Sequence, residues 1–571
     1  MEKRALLPLL IFAACGGQET SRQNVPQSQQ GNPVSERSGP VVISVVGTND
    51  LHGHIEALPL LGGYLNLIRQ DRAKDGGVVL LDGGDLFQGT LESNSNEGEA
   101  VIAAYNALGY TAAAIGNHEF DFGPLGPKAV ATEASEDPRG ALKARAVQSK
   151  FPFLSVNTVD SRSGAPVNWP NVKPSIMTEI AGLKVGIIGG TTESTPQTTI
   201  SKNVEGLEFP SLVETINKEA FMLRNRGAEI ILVTIHAGGK CRSFDDPKDV
   251  SSCEGGEAFP LAEALPKGLV QVIVAGHSHA GISHLVNGVA IIESFSRGAA
   301  FGRVDLTVDP NSEQPIQTKI FRPQNLCERG KPPCEAPRYF DSQVVVDEKL
   351  AKVIEPYQDQ AKSLRDRKTG LSTKTKFRKA YDKESPLGNL VADLMLEARP
   401  KGDVAMTNGG GLRADLPMGP ITFGDLFEVL PFDNRFATVA MTGKDLKNLI
   451  ASNLQRRRGI MSFSGIEALA KCKKKKLDVT LFSTKSKRRR IKDGTKLLLV
   501  TSDFLAWGGD GAIGRLSLAD DAVTIEDGAP IRDVIDKMLA ASPRSVSPNQ
   551  FAPPNKRARL QYPQTRPVNC K

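Results

Sequence analysis

Several features are missing from this chain. Beyond the first fifteen residues no apolar run approaches the roughly 18 residues of a membrane helix. No internal repeat and no heptad pattern is present, which argues against solenoids and coiled coils. Histidine is scarce and unevenly spread: there are seven in 571 residues, the last is His284, and the second half has none. What remains is ordinary for a water-soluble globular protein, with 40% hydrophobic and 24% charged residues. The length suits two to four domains.

The N-terminus reads as a targeting segment. A basic "MEKR" precedes the short apolar "ALLPLLIFAA", and Cys15 follows at once. The ending "FAAC" resembles the lipobox of bacterial lipoproteins, which implies a signal peptide over 1–15 and a lipid on Cys15. Phe12 departs from that pattern and leaves a soluble exported form as the alternative. Residues 16–40 are polar and rich in Gly, Ser and Gln, as in a flexible tether. The expectation is an exported protein of the periplasm or cell envelope, held to the membrane by lipid. If lipid takes Cys15, six of the seven cysteines remain, an even number for an oxidising compartment. Proximity pairs Cys241 with Cys253 and Cys327 with Cys334, which leaves Cys472 with Cys570.

The histidines fall in a recurring setting. "VVISVVGTNDLHGH" ends in Asp50 and His52, and "GVVLLDGGD" ends at Asp85. "TAAAIGNH" ends in Asn117 and His118, "EIILVTIH" in His236, and "VQVIVAGHSH" in His277 and His279. Each is a strand-like run closed by a polar residue able to bind a metal. Helical stretches such as "GGYLNLIRQDRAK" and "FPSLVETINKEAFMLRNRG" separate them, so the fold class is α/β with parallel or mixed sheets. Strands of that kind gather the residues at their C-terminal ends into one crevice. The set is carboxylate, amide oxygen and imidazole without thiolate, which suits Zn, Mn, Co or Fe. Seven ligands are too many for one tetrahedral ion and suit two, bridged by one carboxylate, an arrangement that clamps a phosphoryl displacement. His54 and His284 are read as ordinary hydrogen-bonded residues.

The order "NDLHGH … GGDLFQGT … GNHEFDFG … GHSH" resembles the calcineurin-like metallophosphoesterases, and in particular the exported 5'-nucleotidases. That family includes UDP-sugar hydrolases and 2',3'-cyclic phosphodiesterases. The resemblance covers roughly residues 41–540. It implies a four-layer β-sandwich flanked by helices, a linker helix and a smaller α/β substrate-binding domain. It implies two divalent transition-metal ions (Zn, Mn or Co), one on Asp50, His52, Asp85 and His279, the other on Asp85, Asn117, His236 and His277. The family often has Gln or Asn where His279 stands. The catalytic histidine falls on His118 and its carboxylate partner on Asp121. Glu119 receives no catalytic role.

The second half supplies "TNGGGLRADLPMGPITFGDLFEVLPFDN" and "TSDFLAWGGDG". By the same resemblance Phe432 and Phe504 would sandwich a nucleobase, Asp510 would bind the ribose hydroxyls, and Asn408 and Arg413 would face base or phosphate. Paired aromatic faces suit any base, and a guanidinium suits a phosphate. The family usually has arginines just before the "LGNL" helix; here only Arg378, Lys379 and Lys383 stand near, and one phosphate contact has no residue assigned. The implied organisation is a dimetal phosphoesterase domain over 41–340, a linker helix over 341–370 and a nucleotide-binding domain over 371–571. Nucleotide would bind between the domains, the second of which rotates in the family.

Charge is local. Residues 456–492 hold 14 Lys/Arg and 2 acidic residues in a chain whose net charge is +7. The plain reading is a solvated loop or hairpin; the sharper one attracts phosphorylated ligands, nucleic acid or an anionic surface. The expected function is hydrolysis of nucleoside 5'-monophosphates, and of other nucleotides or UDP-sugars, by in-line attack of an activated water. The alternatives are a 2',3'-cyclic phosphodiesterase, a sulfur-oxidation hydrolase of the SoxB type, and a non-catalytic nucleotide-binding lipoprotein. The paired Phe432 and Phe504 argue against the sulfur enzyme, and the full ligand set argues against the binding lipoprotein.

Overall fold

The computed structural model describes residues 39–571, apart from 310–314, 331, 486, 520, 527, 553–557, 564 and 571. The leader, the tether and Cys15 lie outside the described residues. Two sheets form the first half. In the first, parallel strands Val41–Thr48, Gly76–Asp82, Ala112–Ala114, Phe153–Leu154 and Val172–Lys173 follow one another, with antiparallel Ala300–Val308 and Pro315–Ile320 at one edge. In the second, Val289–Ser294, Val272–Val274, Ile230–His236 and Leu183–Thr191 run parallel, and antiparallel strands close both edges.

The strand sequences explain the layering. Along Val41–Thr48, Val41, Ile43 and Val45 point one way, into a core shared with Leu81, Ile187, Leu232 and Val274 between the two sheets. Val46 points the other way, against helices Leu58–Arg72 and Glu99–Leu108. On the second sheet Ile231, Val233 and Ile235 turn outward against helix Leu212–Asn225. Apolar side chains on both faces are what doubly covered parallel strands require. The result is helix, sheet, sheet, helix, the expected four layers. The sheets approach closely at Gly189, where any Cβ would lie 2.2 Å from that of Leu154. The strand foreseen at the start of "TAAAIGNH" is shorter than its apolar run, Ala112–Ala114, because only those residues pair with neighbours.

A helix over Glu348–Arg365 follows, capped by Asp347, whose carboxylate accepts from the amides of Lys349 and Leu350. Pro356 is tolerated inside it on an exposed face. Helix Pro386–Ala398 starts at Ser385, whose hydroxyl accepts from Gly388 N at 3.0 Å. Its buried face packs on a five-stranded sheet ordered Met461–Ser464, Val404–Asn408, Lys496–Ser502, Phe436–Thr442, Val523–Ile525. The opposite face of that sheet packs on helix Gly443–Leu454 and on the strands of the basic segment. That segment is a hairpin, Ile466–Lys473 against Lys476–Ser483, with its lysines exposed. A small cluster of Leu91, Ala361, Phe423 and Phe427 joins the two halves.

All three expected disulfides are present: Cys241–Cys253, Cys327–Cys334 and Cys472–Cys570. The last closes a span of 98 residues. Closing so long a loop restricts the unfolded chain most, so Cys472→Ser/Cys570→Ser should destabilise the second half by about 2–5 kcal/mol. Scanning calorimetry on the oxidised protein should show a lowered transition; an unmoved one would mean the bond adds no stability.

Candidate active site

The seven expected ligands stand at the C-terminal ends of five strands. Asp50 and His52 follow Val41–Thr48, Asp85 follows Gly76–Asp82, and Asn117 follows Ala112–Ala114. His236 ends Ile230–His236, and His277 and His279 follow Val272–Val274. Five of the seven have left-handed backbone: φ is 50° at Asp50, 49° at His52, 58° at Asp85, 77° at His277 and 56° at His279. A non-glycine residue held there costs about 1–3 kcal/mol. Such strain gathers where a side chain must be aimed, and nothing in the sequence announces it.

The side chains meet in two clusters. Asp50, His52, Asp85 and His279 place one ligand atom each within 4.8 Å of one another, and so do Asp85, His236 and His277. Asn117 Oδ1 lies 3.0 Å from His236 Nε2, which puts it with the second cluster. Asp85 belongs to both. The imidazoles are aimed from behind: His52 Nδ1 donates to Gln88 O and His236 Nδ1 to Gly83 O, both at 2.8 Å. Their Nε2 atoms therefore face inward, and the Nε2 atoms of His52 and His279 are 3.0 Å apart. Asp50 Oδ2 accepts from Asn49 Nδ2 and His277 N, while Oδ1 is buried without a hydrogen-bond partner. Electron pairs converging on one point, with a buried orphan oxygen among them, are what a divalent cation satisfies. The residues present fit two such ions.

The electrostatics agree. Burial opposes the charge of Asp85, yet His236 and His118 hold its carboxyl well below the usual range. Burial and the neighbouring His236 push His277 down to about 3, so it is neutral and able to ligate. Burial lowers His236 too, but Asp85 outweighs it and raises it to about 10, so a cation binding there displaces a proton.

Glu119, given no catalytic role by the sequence, has a definite structural one. Its carboxylate accepts from the backbone amides of Asp85, Leu86, Phe87 and Gly116, at 2.9, 2.7, 3.3 and 2.7 Å. That pins the turn carrying Asp85. Gly116 leaves room for it: a Cβ there would lie 2.2 Å from Asp85 Oδ1.

His118 stands apart from both clusters, its Nε2 3.9 Å from Asp85 Oδ2. Its Nδ1 is 2.6 Å from Asp121 Oδ2, and Thr199 Oγ1 donates to the other oxygen of Asp121 at 2.8 Å. Burial disfavours the imidazolium, but Asp121 and Asp85 outweigh it and raise the pKa.

A cavity of about 600 Å³ opens beside the clusters and is lined from both halves of the chain. Asn408, Arg413, Phe432, Phe504 and Asp510 all line it. Arg413 reaches furthest, its Nη2 3.0 Å from His52 Nε2, and its carbonyl accepts from Arg297. The Phe432 ring is 5.3 Å from that of His118. Asn408 Nδ2 donates to Asp510 Oδ2 at 2.6 Å. Tyr381, Arg457 and Arg458 also line the cavity, as does Lys379. The two arginines were legible only as part of a basic run. Among the other histidines, His54 pairs with Glu56 at 2.7 Å. His284 lies beside Cys241 and Cys253, whose disulfide leaves no thiolate to ligate.

Residues 43–281 match the family model of the calcineurin-like phosphoesterases, and residues 364–515 match the 5'-nucleotidase C-terminal domain. Together the two span more than half of the chain, which belongs to the metallophosphoesterases that carry a 5'-nucleotidase C-terminal domain; it is a hydrolase. A 5'-nucleotidase of Vibrio cholerae is 26% identical over 547 residues, 90% of this chain and 92% of that protein. Endonuclease YhcR of Bacillus subtilis is 25% identical over 474 residues, 79% of this chain but only 36% of that longer protein. The crystal structure of a 5'-nucleotidase precursor from Thermus thermophilus shares the fold, with a TM-score of 0.68 at 22% identity over 91% of this chain and 99% of that one.

Replacing Glu119 by Gln puts an amide donor against backbone donors. Metal affinity should fall about 10–100-fold, the usual cost of disturbing a group that orients ligands. Competition with a chromophoric chelator reads it; unchanged affinity would show that Glu119 does not set the Asp85 turn.

Proposed function

We propose that the protein is an exported, metal-dependent 5'-nucleotidase that hydrolyses nucleoside 5'-monophosphates to nucleoside and phosphate. The observation that carries this reading is Arg413. It is a half-buried cation from the second half of the chain, lining the cavity and set against His52 and His279 of the first of two clusters suited to divalent cations. Positive groups do not share a buried site without an anion between them. A phosphate supplies that charge and matches the guanidinium fork.

Asp50, His52, Asp85 and His279 would hold one ion, and Asp85, Asn117, His236 and His277 the other. When bound, such a pair supplies Lewis-acid stabilisation of a phosphoryl transition state and activates water. Arg413 donates to the phosphate oxygens and fixes the phosphorus against that pair. Asp121 holds Nδ1 of His118, so Nε2 is free to give a hydrogen bond or proton to the leaving O5'. Phe432 and Phe504 flank the base. Asp510, steadied by Asn408, accepts from the ribose hydroxyls. Residues 41–340 thus carry the chemistry, 341–370 join, and 371–571 hold the nucleoside.

Export is supported by the leader sequence and by three disulfides, which belong in oxidising compartments. Among the described residues no helix is long and apolar enough to cross a membrane. Attachment would therefore come from lipid on Cys15.

The test is phosphate release from a panel of nucleoside 5'-monophosphates, 2',3'-cyclic nucleotides and UDP-sugars, with Mn, Co or Zn added. Release from the 5'-monophosphates should be fastest and should stop with chelator. His118→Ala should lower kcat by about 10²–10⁴ with metal content unchanged. A metal-loaded protein that releases no phosphate from any nucleotide, or full activity in the His118 variant, would contradict the reading.

A further inference from the structure

Helix Gly443–Leu454 runs into Gln455-Arg456-Arg457-Arg458-Gly459, the loop before strand Met461–Ser464. Three adjacent arginines repel one another, and a free loop would turn all of them to water. This loop is held. Arg566 Nη2 donates to three of its carbonyls, those of Asn453, Arg456 and Arg458, at 2.6, 3.2 and 3.0 Å. Asn453 donates to Gly459 O at 2.9 Å and accepts from Met461 N. Val568 N donates to Leu454 O at 2.9 Å, and Ile460 N to Tyr381 O at 2.7 Å. The tail bearing Arg566 is itself tied down by Cys472–Cys570.

The fixed loop faces the cavity. Arg457 and Arg458 line it together with Tyr381, Asn408 and Asp510. The loop is pressed against the Asp510 end: a Cβ on Gly459 would lie 3.5 Å from Asp510 Oδ2 and 3.5 Å from Tyr381 Cε2. Arg458 acts on the Asp510 and Tyr381 side chains through space, without a contact ion pair. Arg413 stands at the ligand clusters, beside His52. The cavity thus has cationic groups both at the clusters and beside Asp510, while one scissile phosphate needs only the first.

We propose that Arg457 and Arg458 form a second anion subsite, which binds a phosphate carried on the ribose, so that nucleoside 3',5'- or 2',5'-bisphosphates are preferred over 5'-monophosphates. This rests on the 5'-nucleotidase reading above. Two guanidinium forks match a phosphate dianion. Their place beside Asp510 puts that phosphate on one ribose oxygen, with Asp510 accepting from the one hydroxyl that remains, rather than along a 5'-polyphosphate chain. The reaction is unchanged in kind: water adds to the 5'-phosphorus, the P–O5' bond breaks, and O5' takes the proton. Orthophosphate and a nucleoside 2'- or 3'-phosphate leave. Arg566 is a positioning residue, since it touches the loop and not the ligand.

The experiment compares kcat/KM for adenosine 3',5'-bisphosphate, adenosine 5'-monophosphate and adenosine 5'-diphosphate on the metal-loaded protein. The wild type should favour the 3',5'-bisphosphate over the monophosphate through a lower KM. Arg457→Ala/Arg458→Ala should reduce that ratio by about tenfold or more, the loss of a charge-assisted contact. Arg457→Lys/Arg458→Lys should restore part of it. Arg566→Ala, with both arginines in place, should reduce the same ratio and leave kcat for the bisphosphate near wild type. Equal preference in the wild type, preference for the diphosphate alone, or an unaltered ratio in the double alanine variant would each overturn the proposal. If no nucleotide at all is cleaved, the underlying nucleotidase reading fails first and takes this one with it.

Discussion

The two sheets of the first half meet, functionally, at one carboxylate. Asp85 comes from the first sheet, and its Oδ2 lies 3.1 Å from Nε2 of His236, which ends a strand of the second. On its other side stand His52 and Asp50 from the neighbouring strand. For that contact to exist, strands of both sheets must end at the same rim. The inter-sheet core of Ile43, Leu81, Ile187, Leu232 and Val274 fixes how far one sheet slides over the other. A slip of one residue along a strand would turn every side chain to the wrong face. The core therefore sets the geometry of the site as well as the stability of the fold. Asp85 is then fixed locally, by left-handed backbone and by the amides that Glu119 holds.

The second half depends on the first in a different way. It brings Arg413 to His52, and its carbonyl is met by Arg297. The cavity exists only because both halves contribute walls. Two clusters of electron-pair donors suit cations, and on the reading proposed above those cations and the half-buried Arg413 together call for an anion. On that reading each layer of charge calls for the next, and the series would end with a phosphate between the halves.

Much of this was legible in the sequence because the pattern repeats. One histidine at a strand end says little; Asp50, His52, Asp85, Asn117, His236, His277 and His279 at five strand ends say a great deal. The disulfides followed from proximity for Cys241 and Cys327, and from elimination for Cys472. What escaped was set by contacts between residues far apart in the chain. The four amides gathered by Glu119 come from backbone, which has no sequence signature. The left-handed φ angles of Asp50 and His277 are imposed by the surrounding fold, not by local preference. Arg457 and Arg458 read as the start of a lysine-rich solvated run. The hairpin lysines are indeed exposed, and so is Arg457, but Arg457 and Arg458 also line the cavity on a loop held by Arg566. Charge runs are divided by tertiary structure, which composition cannot see.

The central claim is that Asp85 bridges two cation sites. Anomalous diffraction from crystals of the protein loaded with zinc or manganese tests it most directly. Two anomalous peaks should flank the Asp85 carboxylate, one contacting Asp50, His52 and His279 and the other Asn117, His236 and His277. A single peak, or peaks away from Asp85, would contradict the account.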